Sequence, residues 1–336
     1  MINFRFHIVS LTAVLLALGI GLVLGTTFLD DATINGLKSQ LDGLEHDLDN
    51  AEARNDAQQT QLGAFEDEAE QLDEQLGERL YKGQLDADPV LVIATQGVDQ
   101  ALVDDVVRSL TQADADVIGV WWLTERLTLD EESELSDLST ALELSTDDAD
   151  RLTGTLAGEL ADVLFGAVDA PEEAGLADPA QAAPAEPAPL ARLREAGFVE
   201  YQLPEGVDGD VVRLPESGLR IVVVDGPDAT VPVEDILVPM LADLAADAPM
   251  PVVATQPTVR TGDDVDDARE PRLVSAIRDD DTLRERISTV DNLETVSGRA
   301  ATVLATVDAV PGVPTIGRYG TGDGADRRLP PVAGDG

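Results

Sequence analysis

The sequence predicts an α/β protein: an N-terminal single transmembrane helix, a long coiled-coil helix, then a doubly wound, mainly parallel sheet. Three observations predict it. Ile8 to Leu29 form a 22-residue run without a charge, Ile34 to Arg79 keep a seven-residue apolar rhythm, and from residue 86 short apolar runs alternate with amphipathic ones. Such alternation is the mark of strands joined by crossover helices.

The uncharged run, residues 8–29, would span roughly 33 Å as a helix, which is enough for a bilayer core. A secretory signal has a shorter apolar region and a small-residue cleavage site, and Gly-Thr-Thr-Phe-Leu after Leu24 supplies none, so an uncleaved anchor is expected. Arg5 precedes the run and Asp30 and Asp31 follow it, which puts residues 1–7 in the cytoplasm and the remainder outside, in a single pass through the cell membrane. Ala13, Ala17, Gly21 and Gly25 recur every four residues and leave a smooth face on which a second membrane helix could pack. One spanning helix makes no pore by itself.

Residues 30–85 carry the heptad. With Ile34 at position a, the a and d sites include Leu37, Leu41, Leu44, Leu48, Asn55, Leu62, Phe65, Leu72 and Leu76, and the three-four spacing never slips. That predicts a coiled-coil stalk of about 80 Å, with Asn55 favouring a parallel, two-stranded register. In a parallel homodimer Asp47 would face Glu52 and Glu68 would face Asp73, pairs that repel by a few tenths of a kcal/mol each. The acidic flanks point to an unlike partner with basic flanks; a homodimer that tolerates the repulsion in salt is the alternative.

In residues 86–320, Pro89–Thr95 reads as a buried strand, with a helix from Asp99 to about Ala113 and a second strand in "ADVIGVWWL". "LRIVVVDGP", the helix "VEDILVPMLADLAA" and the strand "MPVVATQP" repeat the pattern, and "RISTVDN" feeds a helix through "GRAATVLATV". The sum is a Rossmann-like α/β domain outside the membrane. "VIATQG" and "VVATQP" resemble each other and suggest two related halves. Residues 124–165 read as acidic and helical. Ala170 to Ala191, with five prolines, reads as a mobile surface loop, and residues 321–336 as a disordered tail.

A formal charge of −44 makes nucleic acid and anionic lipid poor partners and suits a basic partner, cations or a salty medium. An organism whose proteins are generally acid-rich would account for the charge equally well. Cysteine is absent, the two histidines are His7 and His46, and both lysines, Lys38 and Lys82, precede the α/β domain. Nucleophilic triads, the usual zinc sites and Schiff-base lysines thus lack their residues there, and no phosphate-binding glycine motif follows a strand. No catalytic group, cofactor or metal site is expected. The acidic runs "GDDVDD" and "RDDD" lack EF-hand spacing and read as solvated loops. What remains is the crevice outside the strands' carboxyl ends, at Thr95, Gln96, Asp225, Asp291 and Asn292; the last two are also good caps for the helix that follows.

"HIVSLTAVLLALGIGLVLGTTFL" near the start and "STVDNLETVSGRAATVLA…GRYG…LPP" near the end resemble the actinobacterial family named after the copper transport protein MctB, which also includes the septum protein SteB. The VDN-x(5)-G segment is Val290, Asp291, Asn292 and Gly298. The resemblance implies one of two roles. One is a membrane-anchored partner of a SteA-like protein in cell separation; the other is a component, or an oligomeric channel, of copper homeostasis. Copper(I) calls for thiolate or thioether ligands and copper(II) for imidazole. With no Cys and only Met1, Met240 and Met250, the residues themselves favour a non-catalytic scaffold.

Overall fold

The computed structural model describes residues 5–24, 54, 55, 58, 60, 81–168, 186–204, 213–258 and 273–331. It comprises two units, Met1–Glu68 and Ala69–Gly336. In the first, helix α1 (Arg5–Leu24) is long and apolar enough to cross a membrane. It begins three residues before the expected Ile8, because Arg5, Phe6 and His7 continue the helical turn; residues 25–29 lie outside the described part. The Thr12 hydroxyl donates back to the Ile8 carbonyl at 2.8 Å, so the helix carries its own partner for that polar group. Ala13, Ala17 and Gly21 share one face of α1, while Gly25 lies outside the described residues. Of the stalk, Asn55 is helical and exposed. Leu37, Leu41, Leu44, Leu48, Leu62, Phe65, Leu72 and Leu76 lie outside the described residues.

The second unit is a seven-stranded sheet between two helical layers. Its strands are β1 (Pro89–Thr95), β2 (Asp116–Leu123), β3 (Val199–Gln202), β4 (Arg220–Val224), β5 (Val252–Thr255), β6 (Ser288–Val290) and β7 (Arg318–Tyr319). They lie in the order β3-β2-β1-β4-β5-β6-β7, parallel except for β3, which runs antiparallel along β2. The central strands are mainly apolar because both faces are covered, with Arg220 at the start of β4 and Thr95 and Thr255 at the ends of β1 and β5 as their polar positions. Val90, Val92 and Ala94 of β1 face helices α2 (Gln100–Gln112) and α8 (Val296–Asp308), while Leu91 and Ile93 face the opposite layer. That layer holds α3 (Glu132–Ala141), α4 (Ala149–Val168), α5 (Ala188–Glu195), α6 (Val238–Leu244) and α7 (Leu273–Asp279).

The elements form where local chemistry supports them. Asp99 caps α2 by accepting from the Ala101 N–H at 3.0 Å, and α2 buries Val103, Val106 and Leu110 on one face. α3 starts in a capping box between Glu131 and Glu134. Strand β3 alternates Val199 and Tyr201 with Glu200 and Gln202, and Tyr201 stacks on Trp121 across the ladder, ring centroids 6.0 Å apart.

Several expectations change. The stalk does not extend to residue 85: Tyr81 and Leu85 are fully buried in the α2–α8 side of the sheet, and the Leu85 N–H donates to the Ala113 carbonyl. The proline-rich loop does not extend to Ala191, because Pro187 and Pro189 stand at the start of α5, where proline's fixed φ suits the first turn. The tail is ordered from 321 to 331. Strand β7 pairs with β6, Tyr319 bridges to Arg327, and Arg318 and Asp326 form an ion pair at 2.9 Å.

Candidate functional site

The two ATQ segments end equivalent strands and behave alike. The Gln96 N–H donates to Leu123 at the end of β2, and the Gln256 N–H to Val290 at the end of β6. Each glutamine's Oε1 then accepts a main-chain N–H opening the next segment, Glu125 for Gln96 (2.8 Å) and Val274 for Gln256 (3.1 Å). The repeated sequence therefore marks a repeated strand-end clasp. Both threonines are fully buried; Thr95 donates to Asp225 Oδ1 at 2.9 Å, and Thr255 meets the Thr302 hydroxyl at 3.3 Å.

In this strand order the chain reverses between β1 and β4, the place where open α/β sheets leave a ligand crevice. Here the chain's own loops occupy it. Gly97 adopts φ +96°, and a Cβ there would overlap the Asp228 carbonyl. The Thr230 N–H donates to the Gln96 carbonyl at 2.9 Å. Asp225, wholly buried, takes the Thr95 hydroxyl on one oxygen and the Leu273 N–H on the other. The geometry thus brings together Thr95 and Asp225, while the Gln96 side chain turns toward β2.

Asp291, Asn292 and Gly298 form a separate cluster at the end of β6. Asp291 is not a helix cap; Thr295 caps α8 by accepting from the Gly298 N–H at 3.0 Å. Asp291 instead pairs with Arg278 of α7 at 2.7 Å, with both side chains about 5–6% exposed. Its oxygens also accept the N–H groups of Thr321 and Gly322. Arg278 donates further to the Thr289 hydroxyl and to the carbonyls of Tyr319 and Asp323. A buried charge is tolerable only when so fully engaged. Asn292 takes φ +60° and donates to Thr295 and Ser297, and a Cβ on Gly298 would overlap the Asn292 carbonyl. Asp291 of the VDN-x(5)-G motif, with Arg278, is therefore a latch that fixes residues 319–323 on β6 and α7. Arg278, Thr321 and Gly322 were missed by sequence reasoning, since nothing local marks residues that meet only in three dimensions.

A third feature is an open cleft of about 580 Å³ outside the ends of β1 and β2, beside edge strand β3. Gln96, Gln100, Trp122, Glu200 and Gln202 line it. The Val-Glu-Tyr-Gln alternation could have revealed β3, and with it Glu200 and Gln202.

The electrostatics elsewhere are those of structural ion pairs. Arg194 holds Glu186 in a two-bond clasp and lowers its pKa, and burial raises the pKa of Asp308, of Glu159 and of the Tyr201 phenol. Burial pulls Arg220 down against the opposing pull of Asp88, with which it pairs at 2.5 Å. Among the described residues no group of three or more His, Cys, Asp or Glu could hold a metal ion. Met240 and Met250 are buried, about 1% and 5% exposed.

A family model described as Copper transport outer membrane protein, MctB, matches residues 1–330. The chain belongs to that family. It is 30% identical over 333 residues to proteins named Copper transporter MctB from Mycobacterium bovis and Mycobacterium tuberculosis, covering 97% of this chain and 98% of each relative. A protein of the same name from Mycobacterium leprae is 28% identical over 334 residues. Family membership and the apolar helix α1 together support a membrane location. The described sheet is open, mostly parallel and covered on both faces, unlike the closed antiparallel barrel of outer-membrane pores.

Proposed function

We propose that this chain is a non-catalytic, membrane-anchored component of copper homeostasis. On this reading α1 spans the membrane with its amino terminus in the cytoplasm, and the α/β unit lies outside. The observation that supports it is the match along nearly the whole chain to proteins named copper transporters. The orientation follows from Arg5 before the apolar run and Asp30 and Asp31 after it.

The chain's chemistry shapes how such a component would act. Soft ligands for copper(I) are scarce: there is no cysteine, and the two methionines after Met1 are packed in the core of the α/β unit. Copper would therefore move through an assembly to which this chain adds a wall or a support, rather than along a ligand relay inside the α/β unit. The acidic flanks of the heptad favour a second reading, a scaffold that recruits an unlike partner such as a SteA-like protein through residues 30–85.

The test is to delete the gene in its own cell and measure copper per cell by elemental mass spectrometry. The copper reading expects a rise that the full chain reverses and a chain lacking residues 5–24 does not. Unchanged copper, with daughter cells remaining joined, would overturn it in favour of the scaffold.

A further inference from the structure

We propose that the cleft beside β3 binds an uncharged saccharide, a role separate from any passage of copper. The cleft is built around a fixed aromatic ring. Trp122 is partly exposed, and its indole N–H donates to Gln202 Oε1 at 3.0 Å. Gln202 Nε2 in turn donates to Asp104 Oδ1 of α2 at 3.3 Å. That chain of bonds assigns the amide's orientation and pins the indole plane between α2 and β3. A ring held in this way loses little freedom when a ligand stacks on it.

Around the ring stand the groups a sugar needs. Gln96 Oε1 is occupied by the Glu125 N–H, which leaves its Nε2 to donate. Gln202 keeps a second Nε2 hydrogen, and Gln100 and Glu200 are exposed at the rim. Glu200 sits directly across the β2–β3 ladder from Trp122, on the same face as Gln202. A pyranose presents C–H bonds on one face and hydroxyls around its edge. The first suit an indole face, and the second suit amides that donate and a carboxylate that accepts.

Charge excludes the other ligand classes that suit this position in the fold. Among the described residues no Arg or Lys lines the cleft, and the chain carries −44, so phosphates and nucleotides are repelled. Glu200 is the one charged residue among the described residues lining it, where a basic peptide would call for several carboxylates. A cavity of about 580 Å³ falls within the ~300–1,000 Å³ of small-molecule sites.

The test uses the full chain in a zwitterionic detergent, because sugar-headed detergents would compete. The probes are neutral tetrasaccharides of β-1,4-linked N-acetylglucosamine, α-1,4-linked glucose and β-1,4-linked galactose, with tetralysine as the cationic comparison. Binding is read from tryptophan fluorescence, since both tryptophans, Trp121 and Trp122, lie in β2. The expected result is saturable binding of at least one saccharide, weakened about tenfold by Glu200→Ala or Gln100→Ala. Both positions are exposed, so these variants should fold as the parent does. Trp122→Phe should weaken binding further. Absence of saturable binding to every saccharide would overturn the proposal, as would binding that these variants leave unchanged or binding of tetralysine alone.

Discussion

Asp291→Asn probes the latch most directly. In the parent, Asp291 accepts from Arg278 at 2.7 Å and from two main-chain N–H groups, and water barely reaches either charged side chain. Removing one partner of a buried pair costs about 3–5 kcal/mol, chiefly because the other charge is left uncompensated. Arg278 keeps the Thr289 hydroxyl and two carbonyls, and asparagine keeps one acceptor oxygen, so the low end applies, about 3 kcal/mol. For a unit of this size that lowers the melting temperature by roughly 6–12 °C. The control is Asp326→Asn, which breaks the Arg318 pair a few residues away, where Asp326 is 54% exposed; about 0.5 kcal/mol or less is expected. Both are measured on the full chain by the fluorescence of Trp121 and Trp122 during heating or urea titration. Hydrogen exchange in residues 318–327 should quicken in Asp291→Asn alone. Equal shifts in the two variants, or an Asp291→Asn melting point within about 1 °C of the parent, would refute the claim that burial makes this pair a latch.

Three further outcomes are expected. Gly298→Ala should cost about 2–3 kcal/mol in urea unfolding, because the new methyl overlaps the Asn292 carbonyl and α8 must shift to admit it. Asp308→Asn should raise the melting temperature at pH 7. Burial raises this carboxyl above its ordinary 3.8, so the ionised form is penalised in the folded state, and the advantage of the variant should shrink as pH falls through the folded pKa and vanish below the unfolded one. Glu186→Gln should do the reverse. Arg194 lowers this carboxyl below its ordinary 4.5, so its contribution is fully present above that value and is lost as pH falls through the folded pKa; melting curves from pH 3 to pH 7 would show the gap between variant and parent closing in acid.

Much of the fold is legible in residue order because each signal is local. The uncharged run marks α1, and "PVLVIAT" coincides with β1 because a strand covered on both faces is apolar at nearly every position, Thr95 at its end being satisfied by Asp225. Asp99 marks the start of α2 through its cap. Other features are not local. Strand β3 is four residues long and earns its place only by pairing with β2, and β7 has two residues held by β6 and the latch. Glycines and charges after residue 320 read as a tail, yet Asp291 binds their main chain.

The same division holds for the candidate site. Composition alone determined that the α/β unit carries no Cys or His chemistry and a single lysine, Lys82, and the order of strands and helices determined a parallel sheet. Only the tertiary structure decided that Asp225 is closed in by Thr95 and the Leu273 N–H, and that Asp291 faces Arg278 instead of capping α8. It alone showed an open cleft beside Trp122, and the loop after β4 closing onto Gln96 and Gly97 at the β1–β4 reversal. The physical reason is range. Burial patterns and caps act within a few residues, whereas a buried carboxylate takes whichever donors the packed chain delivers, here from segments 48 and 130 residues away.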